Sequence, residues 1–306
     1  MNTGQRAQRN DPIAGVLWMI VSCALIAGVA ALGRYATTAG VPPMQVAFLR
    51  VIFALITMLP LLAWRGASLA QTDQWKTYSI RVAIGVCAMS IWFIGLSMVP
   101  VGEVTAISFL APLFATVFAA LLLKEVVRAR RWIATLIGFA GALVILRPGV
   151  ADTSIGVWII VFSAIAMGLS TTFIKRLTNA DDPDKVVFIT TVMMTPVTLL
   201  PALYVWQWPA PEVWPWLVAL GPVATLGHVT LARAFAATEA SIVMGVDFAR
   251  LPFAVLYGYV LFSEIIDLWT WVGAAIIFAS SVYIARREAK LRAQPVASHT
   301  PRTPGV

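Results

Sequence analysis

The sequence predicts an all-α polytopic membrane protein with about ten transmembrane helices arranged as two inverted five-helix repeats. Three observations carry that prediction. The 306 residues are 60% hydrophobic and only 12% charged, with a mean hydropathy of +0.85. The apolar residues fall into runs of about 20, the length that crosses a hydrocarbon core about 30 Å thick. The second half of the chain also repeats the first at a nearly constant offset. An average soluble domain is roughly 25% charged, so this chain has too few polar residues to cover a water-facing surface. Its exterior must meet lipid.

The spans are read at 13–33, 44–64, 79–98, 103–123, 131–147, 155–174, 185–205, 213–233, 239–262 and 268–286. Short loops join them, and alternating strand-length segments are absent, so a β-barrel is excluded and helices must satisfy the backbone. The run that begins at Ile13 follows Arg6 and Arg9 but is too long for a signal-peptide core, and it is taken as the first span. If the N-terminus is cytoplasmic, eighteen of the 22 Lys and Arg residues fall on that side, Arg81 among them. Arg34 and Arg147 fall outside, and Arg50 and Arg250 lie within spans. The positive-inside rule therefore places both termini in the cytoplasm of a cell whose plasma (inner) membrane holds the chain. The domain reading is an N-terminal tail over 1–12, a first repeat over 13–147, a second over 155–286, and a polar tail over 287–306 that is expected to be disordered.

A net charge of +8 and a pI near 9.9 invite a nucleic-acid reading. The bases are scattered between apolar runs rather than gathered on one stripe, so no nucleic-acid partner is expected. Cys23 and Cys87 both sit in apolar runs with no ligand spacing, which gives neither a disulfide nor a metal site, and no cofactor is expected. The Trp206, Trp208, Trp214 and Trp216 group, interleaved with Pro209, Pro211 and Pro215, reads as an interfacial aromatic belt.

The repeat rests on residues that chance matching of apolar sequence does not supply. At an offset of 139, Glu125 falls on Glu264, Trp132 on Trp271, Phe139 on Phe278 and Arg147 on Arg286. At 141, Gly15 falls on Gly156, Ser22 on Ser163, Thr37 on Thr178 and Pro60 on Pro201, with Arg34 on Lys175. Five spans per unit is an odd number, so the second copy must be inverted. That plan recurs in secondary transporters, with the solute site near the midplane.

Two doubled segments carry a family resemblance. Leu122-Leu123-Lys124-Glu125 followed by Gly138-Phe139-Ala140-Gly141 has its counterpart in Leu261-Phe262-Ser263-Glu264 followed by Gly273-Ala274-Ala275. Gly227-His228 through Ala234, Ala240-Ser241 and Leu251-Pro252 fit the second unit as well. In these the chain resembles the drug/metabolite transporter superfamily, specifically its EamA-type ten-helix branch. The resemblance implies transport of a small metabolite, in a superfamily whose members carry amino acids, vitamins such as riboflavin, S-adenosylmethionine or metallophores.

Ionisable groups within a membrane cost roughly 2.5–3.5 kcal/mol on insertion scales and are candidate site residues by default. Asp247 and Arg250, three apart on one face of span nine, are expected to pair. A structural lock and a solute site read equally well from that pair. Arg50 in span two suits a carboxylate or phosphate, or a carbonyl or Glu103 as a structural partner. His228 in span eight and Asp247 are the candidate proton carriers. Phe109 in span four completes the proposed solute contacts. Pro112 and Pro252 are expected to bend spans four and nine. Glu103 and Glu239 open helices, where a carboxylate is favoured. Glu125 and Glu264 end helices, where it is not, so they need partners and read as gate or structural residues.

The function expected is a secondary transporter of a small polar or zwitterionic metabolite, working by alternating access on a proton or solute gradient, as a monomer or homodimer in the lipid bilayer. The alternatives are an exporter or exchanger without ion coupling, and an intramembrane lipid-modifying enzyme. The absence of clustered catalytic groups speaks against the enzyme. No Gly-Lys-Ser/Thr phosphate loop is present, and no acidic ring or filter-like loop suggests a channel.

Overall fold

The computed structural model describes residues 12–66, 71–122, 129–146, 154–178, 180–181, 183–237 and 246–292. The described residues are helical, without a strand. In chain order they form α1 (Pro12–Thr38), α2 (Pro43–Arg65), α3 (Trp75–Leu96), α4 (Val101–Ser108), α5 (Ala111–Leu122), α6 (Ala129–Leu146), α7 (Ile155–Thr178), α8 (Pro183–Tyr204), α9 (Trp214–Ala237), α10 (Arg250–Phe262) and α11 (Leu268–Arg292). Pro12, Pro43 and Pro183 each open a helix, where a residue without an amide proton costs nothing. Six segments are long and apolar enough to cross a membrane, and α6, α10 and the first part of α11 are shorter apolar helices. Leu136, Leu200, Val260 and Ile265 point outward, as side chains facing lipid do.

The chain is a multi-pass membrane protein; α11 continues to Arg292, into the tail expected to be disordered from 287, and the spans differ from the sequence reading in two places. Span four is not one helix. Residues 109–110 interrupt it, separating α4 from α5. Pro112 lacks an amide to donate to the Ser108 carbonyl, and its ring crowds that oxygen, so the helix ends at Ser108 and restarts. Pro112 and Pro252 therefore lie in the first turns of α5 and α10 rather than at bends within helices. The second difference is in span nine. Asp247 lies on a 3-10 turn, Asp247–Ala249, that leads into α10, not within an α-helix. Glu125, Glu239, Arg147 and both chain ends beyond 12–292 lie outside the described residues.

The inversion is visible in atomic detail. α1 packs on α9 and α2, while α7 packs on α3 and α8; α2 crosses α8, and α6 crosses α11. Each contact recurs with the halves exchanged. Ser22 Oγ donates to the Gly227 carbonyl at 2.8 Å, and its counterpart Ser163 Oγ donates to the Ala88 carbonyl at 2.9 Å. In the α6–α11 crossing a Cβ added at Gly141 would lie 2.8 Å from the Gly273 carbonyl oxygen, and one at Gly273 would lie 2.5 Å from that of Gly141. The same crossing is bonded seven residues away on each helix, where Ser280 Oγ donates to the Ala134 carbonyl. In the 139 register Ala134 corresponds to Gly273 and Gly141 to Ser280, so the two contacts are symmetry mates.

The end of the bundle that carries the α1–α2 turn is drawn together by bonds between the halves. Gln45 Nε2 donates to the Gln207 carbonyl at 2.9 Å, and the Gln207 amide returns a bond to Gln45 Oε1 at 3.1 Å. Trp206 packs edge-on against both Phe48 and Trp208. At the opposite end Asp181 accepts from Thr72 Oγ1 at 2.6 Å and from Tyr78 Oη at 3.0 Å.

Candidate functional site

The interruption between α4 and α5 and the 3-10 turn before α10 fall on each other in the repeat: residues 108–110 correspond to 247–249. Broken helices in matching positions of two inverted halves are where transporters of this plan hold their solute. The two breaks also meet in space. The Arg250 guanidinium lies over the Phe109 ring, 5.0 Å from its centroid, a cation–π contact. Arg250 Nη2 is 2.9 Å from Asp247 Oδ2. Cys23 of α1 directs its thiol at the Val246 and Asp247 carbonyls, 3.6 and 3.7 Å away, which ties the turn to the first helix.

His228 on α9 keeps an accessible surface. Its Nδ1 donates to the Ala224 carbonyl one turn back, at 2.7 Å, which leaves Nε2 free for another partner. Three guanidiniums lie within electrostatic reach of the ring: Arg50, Arg81 and Arg250. Arg50 Nη1 points at Met89 Sδ, 3.1 Å away, rather than at a carbonyl or at Glu103. Thus the structure gathers Asp247, Arg250, Arg50, His228 and Phe109 in one region, on α2, α9, the break in span four and the start of α10.

Sequence reasoning missed Arg81 here, having counted it among the cytoplasmic positive charges. It is the seventh residue of α3, directed at Met194 Sδ of α8 at 3.8 Å, and its Nε is buried with no hydrogen-bond partner among the described residues. A signal was available in the repeat. In the 139 register Arg81 corresponds to Leu220, and a charge on one half facing an apolar residue on the other marks a position where symmetric packing is not the reason for the residue.

Glu264 has another role. The Ser263 backbone is left-handed (φ 55°), turning the chain so that Glu264 reaches back beside Gly258. Its Oε1 is 3.3 Å from Arg34 Nε, and its Oε2 accepts the Val101 amide at 2.7 Å. Arg34 also donates to the Leu96 carbonyl at 2.8 Å. The carboxylate therefore caps the N-terminus of α4, in the opposite half, where the helix dipole favours it.

Comparison with known proteins agrees with this architecture. The EamA-like transporter family model matches residues 13–147 and again 154–286. The chain belongs to the EamA-like transporter family. A protein of Vibrio cholerae serotype O1 named a riboflavin transporter is 33% identical over 286 residues, covering 92% of this chain and 96% of its own. One of Brucella anthropi with the same name is 28% identical, covering 88% and 98%. A Rickettsia felis protein named an S-adenosylmethionine uptake transporter is 26% identical, covering 91% and 94%. A protein of known crystal structure superposes with a TM-score of 0.60 at 19% identity, over 89% of this chain and 98% of that one, a likeness of fold alone. This chain is accordingly a membrane transporter of a small metabolite.

Proposed function

We propose that the chain is an alternating-access secondary transporter whose solute binds between the two halves, at the level of the paired breaks. The observation that carries the reading is the meeting of Phe109, Arg250 and Asp247 at those breaks, beside His228 and Arg50. Free energy spent on holding charged groups in the membrane interior is otherwise unexplained. The relatives' names make a vitamin such as riboflavin the first solute to try. A transporter is favoured over a lipid-modifying enzyme because the charged groups are guanidiniums and one carboxylate, with no nucleophile and base paired among the described residues.

In this reading both termini are cytoplasmic, and the Arg34–Glu264–Val101 bridge is the outer gate. It joins α1, α10 and α4, and a solute passes that end only when the bridge opens. Of the two candidate proton carriers His228 is the better placed. Asp247 is already bonded to Arg250, whereas Nε2 of His228 is not used by the Ala224 bond, and the ring lies within electrostatic reach of Arg50 from α2, Arg81 from α3 and Arg250 from α10.

Reconstituted protein is expected to show saturable uptake of a preferred solute into liposomes. Replacing Asp247 or Arg250 by Ala should abolish it while membrane expression persists, and normal flux in both variants would remove the pair from the site. Flux indifferent to an imposed pH gradient would dismiss the proton role of His228.

A further inference from the structure

The charges around the proposed site do not balance. Among the described residues, Arg50, Arg81 and Arg250 stand against one carboxylate, Asp247, and that carboxylate is bonded to Arg250. Arg50 and Arg81 carry five N–H donors each. Among the described residues their recorded partners are two thioether sulfurs, at 3.1 and 3.8 Å. Thioether sulfur is a weak acceptor. The Nε atoms of Arg81 and Arg250 are buried without a hydrogen-bond partner among the described residues. A buried polar group without a hydrogen bond is costly and a buried unpaired charge far more so, so two guanidiniums aimed at sulfur lack an acceptor.

Two further observations point to the sign of what is missing. Both α5 and α10 begin at the breaks, so the positive ends of their dipoles lie at the level of the site. Arg81 and Arg50 also lie at different depths. The Arg81 guanidinium reaches along α3 to Gly85, where an added Cβ would lie 2.7 Å from its Nη1, and Met89, which Arg50 touches, is one helical turn further on, about 6 Å at the helical rise. The two guanidiniums thus follow one another along the path, about one helical turn apart.

We propose that the transported solute is a small organic anion, bound through a carboxylate or phosphate group first by one and then by the other of Arg50 and Arg81. This rests on the transporter reading above and narrows its substrate class from the polar or zwitterionic solute expected from sequence. Guanidinium offers the planar, bidentate geometry that both anionic groups accept. An inside-negative membrane opposes anion entry by about 2.3 kcal/mol per charge per 100 mV, which a co-transported cation would offset, the role proposed for the proton on His228.

The test compares solutes that differ only in the anionic group, on the full chain in detergent and in liposomes: riboflavin with riboflavin 5′-phosphate, and nicotinamide with nicotinate. The anionic member of at least one pair is expected to raise the melting temperature and to show saturable flux at concentrations at least tenfold below its neutral partner. Arg50→Gln and Arg81→Gln should each remove that preference, and Arg81→Lys should restore part of it, since a charge remains. Monodisperse elution of each variant separates lost binding from lost fold. Saturable flux of a neutral member, undiminished in both Gln variants, would overturn the anion proposal while leaving the transporter reading intact. Failure of every anionic member to shift the melting temperature would overturn it too. If no solute of the panel, charged or neutral, showed saturable flux, the transporter reading of this site would fall with it.

Discussion

The two halves of the molecule are alike where they hold each other and unlike where they enclose the interior. Ser22–Gly227 and Ser163–Ala88 are the same bond made twice, and the α6–α11 crossing brings together two glycines and then Ser280 with Ala134. At the site the correspondence fails residue by residue. In the repeat register Asp247 faces Ser108, Arg250 faces Ala111, Arg50 faces Thr191, His228 faces Met89 and Arg81 faces Leu220. Two similar halves give two conformations of similar energy, which alternating access requires. A solute is not symmetric, so the residues that recognise it have no reason to be.

That contrast can be attacked by making the halves more alike. The double substitution Asp247→Ser with Arg250→Ala gives the second half the residues of the first. It removes both members of the ion pair, so the fold should hold, whereas Asp247→Ser alone leaves a charge unpaired at a cost of about 3–5 kcal/mol. Liposome flux is expected to fall to background in both, and the melting temperature only in the single variant. A double variant that transports normally would break the contrast. In the symmetric region, Gly141→Val and Gly273→Val should each destabilise by about 3 kcal/mol, because the added carbon meets a carbonyl oxygen. The effects should be similar, and a large difference in thermal stability between the two would show that the crossing is not shared equally. Smaller again, Ser22→Ala and Ser163→Ala should cost about 1 kcal/mol each, equal within a few tenths on thermal unfolding. Smallest is a gain. Ser263→Gly relieves a left-handed residue and should add about 0.5–1 kcal/mol to stability, read as a raised melting temperature with flux retained.

The spans, their repetition and the Asp247–Arg250 pairing were legible because each depends on local spacing: about 20 apolar residues, a constant offset, or one helical turn. Glu264 was legible as a residue in need of partners, since a carboxylate at a helix C-terminus is disfavoured, but not as the cap of α4. That bond links residues 163 positions apart, and no local pattern encodes it. Arg81 escaped because it stands one and a half turns into α3, close enough to the end to pass for a topological charge. Arg50 was identified as a site residue, while its turn toward Met89 depends on how α2 meets α3. The interruption at 109–110 was half visible through Pro112; its exact place required the carbonyl that the proline crowds.

The Glu264–Val101 bond also sets a schedule. Val101 leaves the ribosome 163 residues before the carboxylate that caps it, and at about 5–20 residues per second the interval is roughly 10–30 s. During that time the apolar stretch from Val101 to Leu122 is in the membrane without its cap, next to helices whose partners have not been made. The first half therefore cannot complete its own fold, and a chain truncated before Glu264 would leave the translocon with the entrance of α4 unfinished.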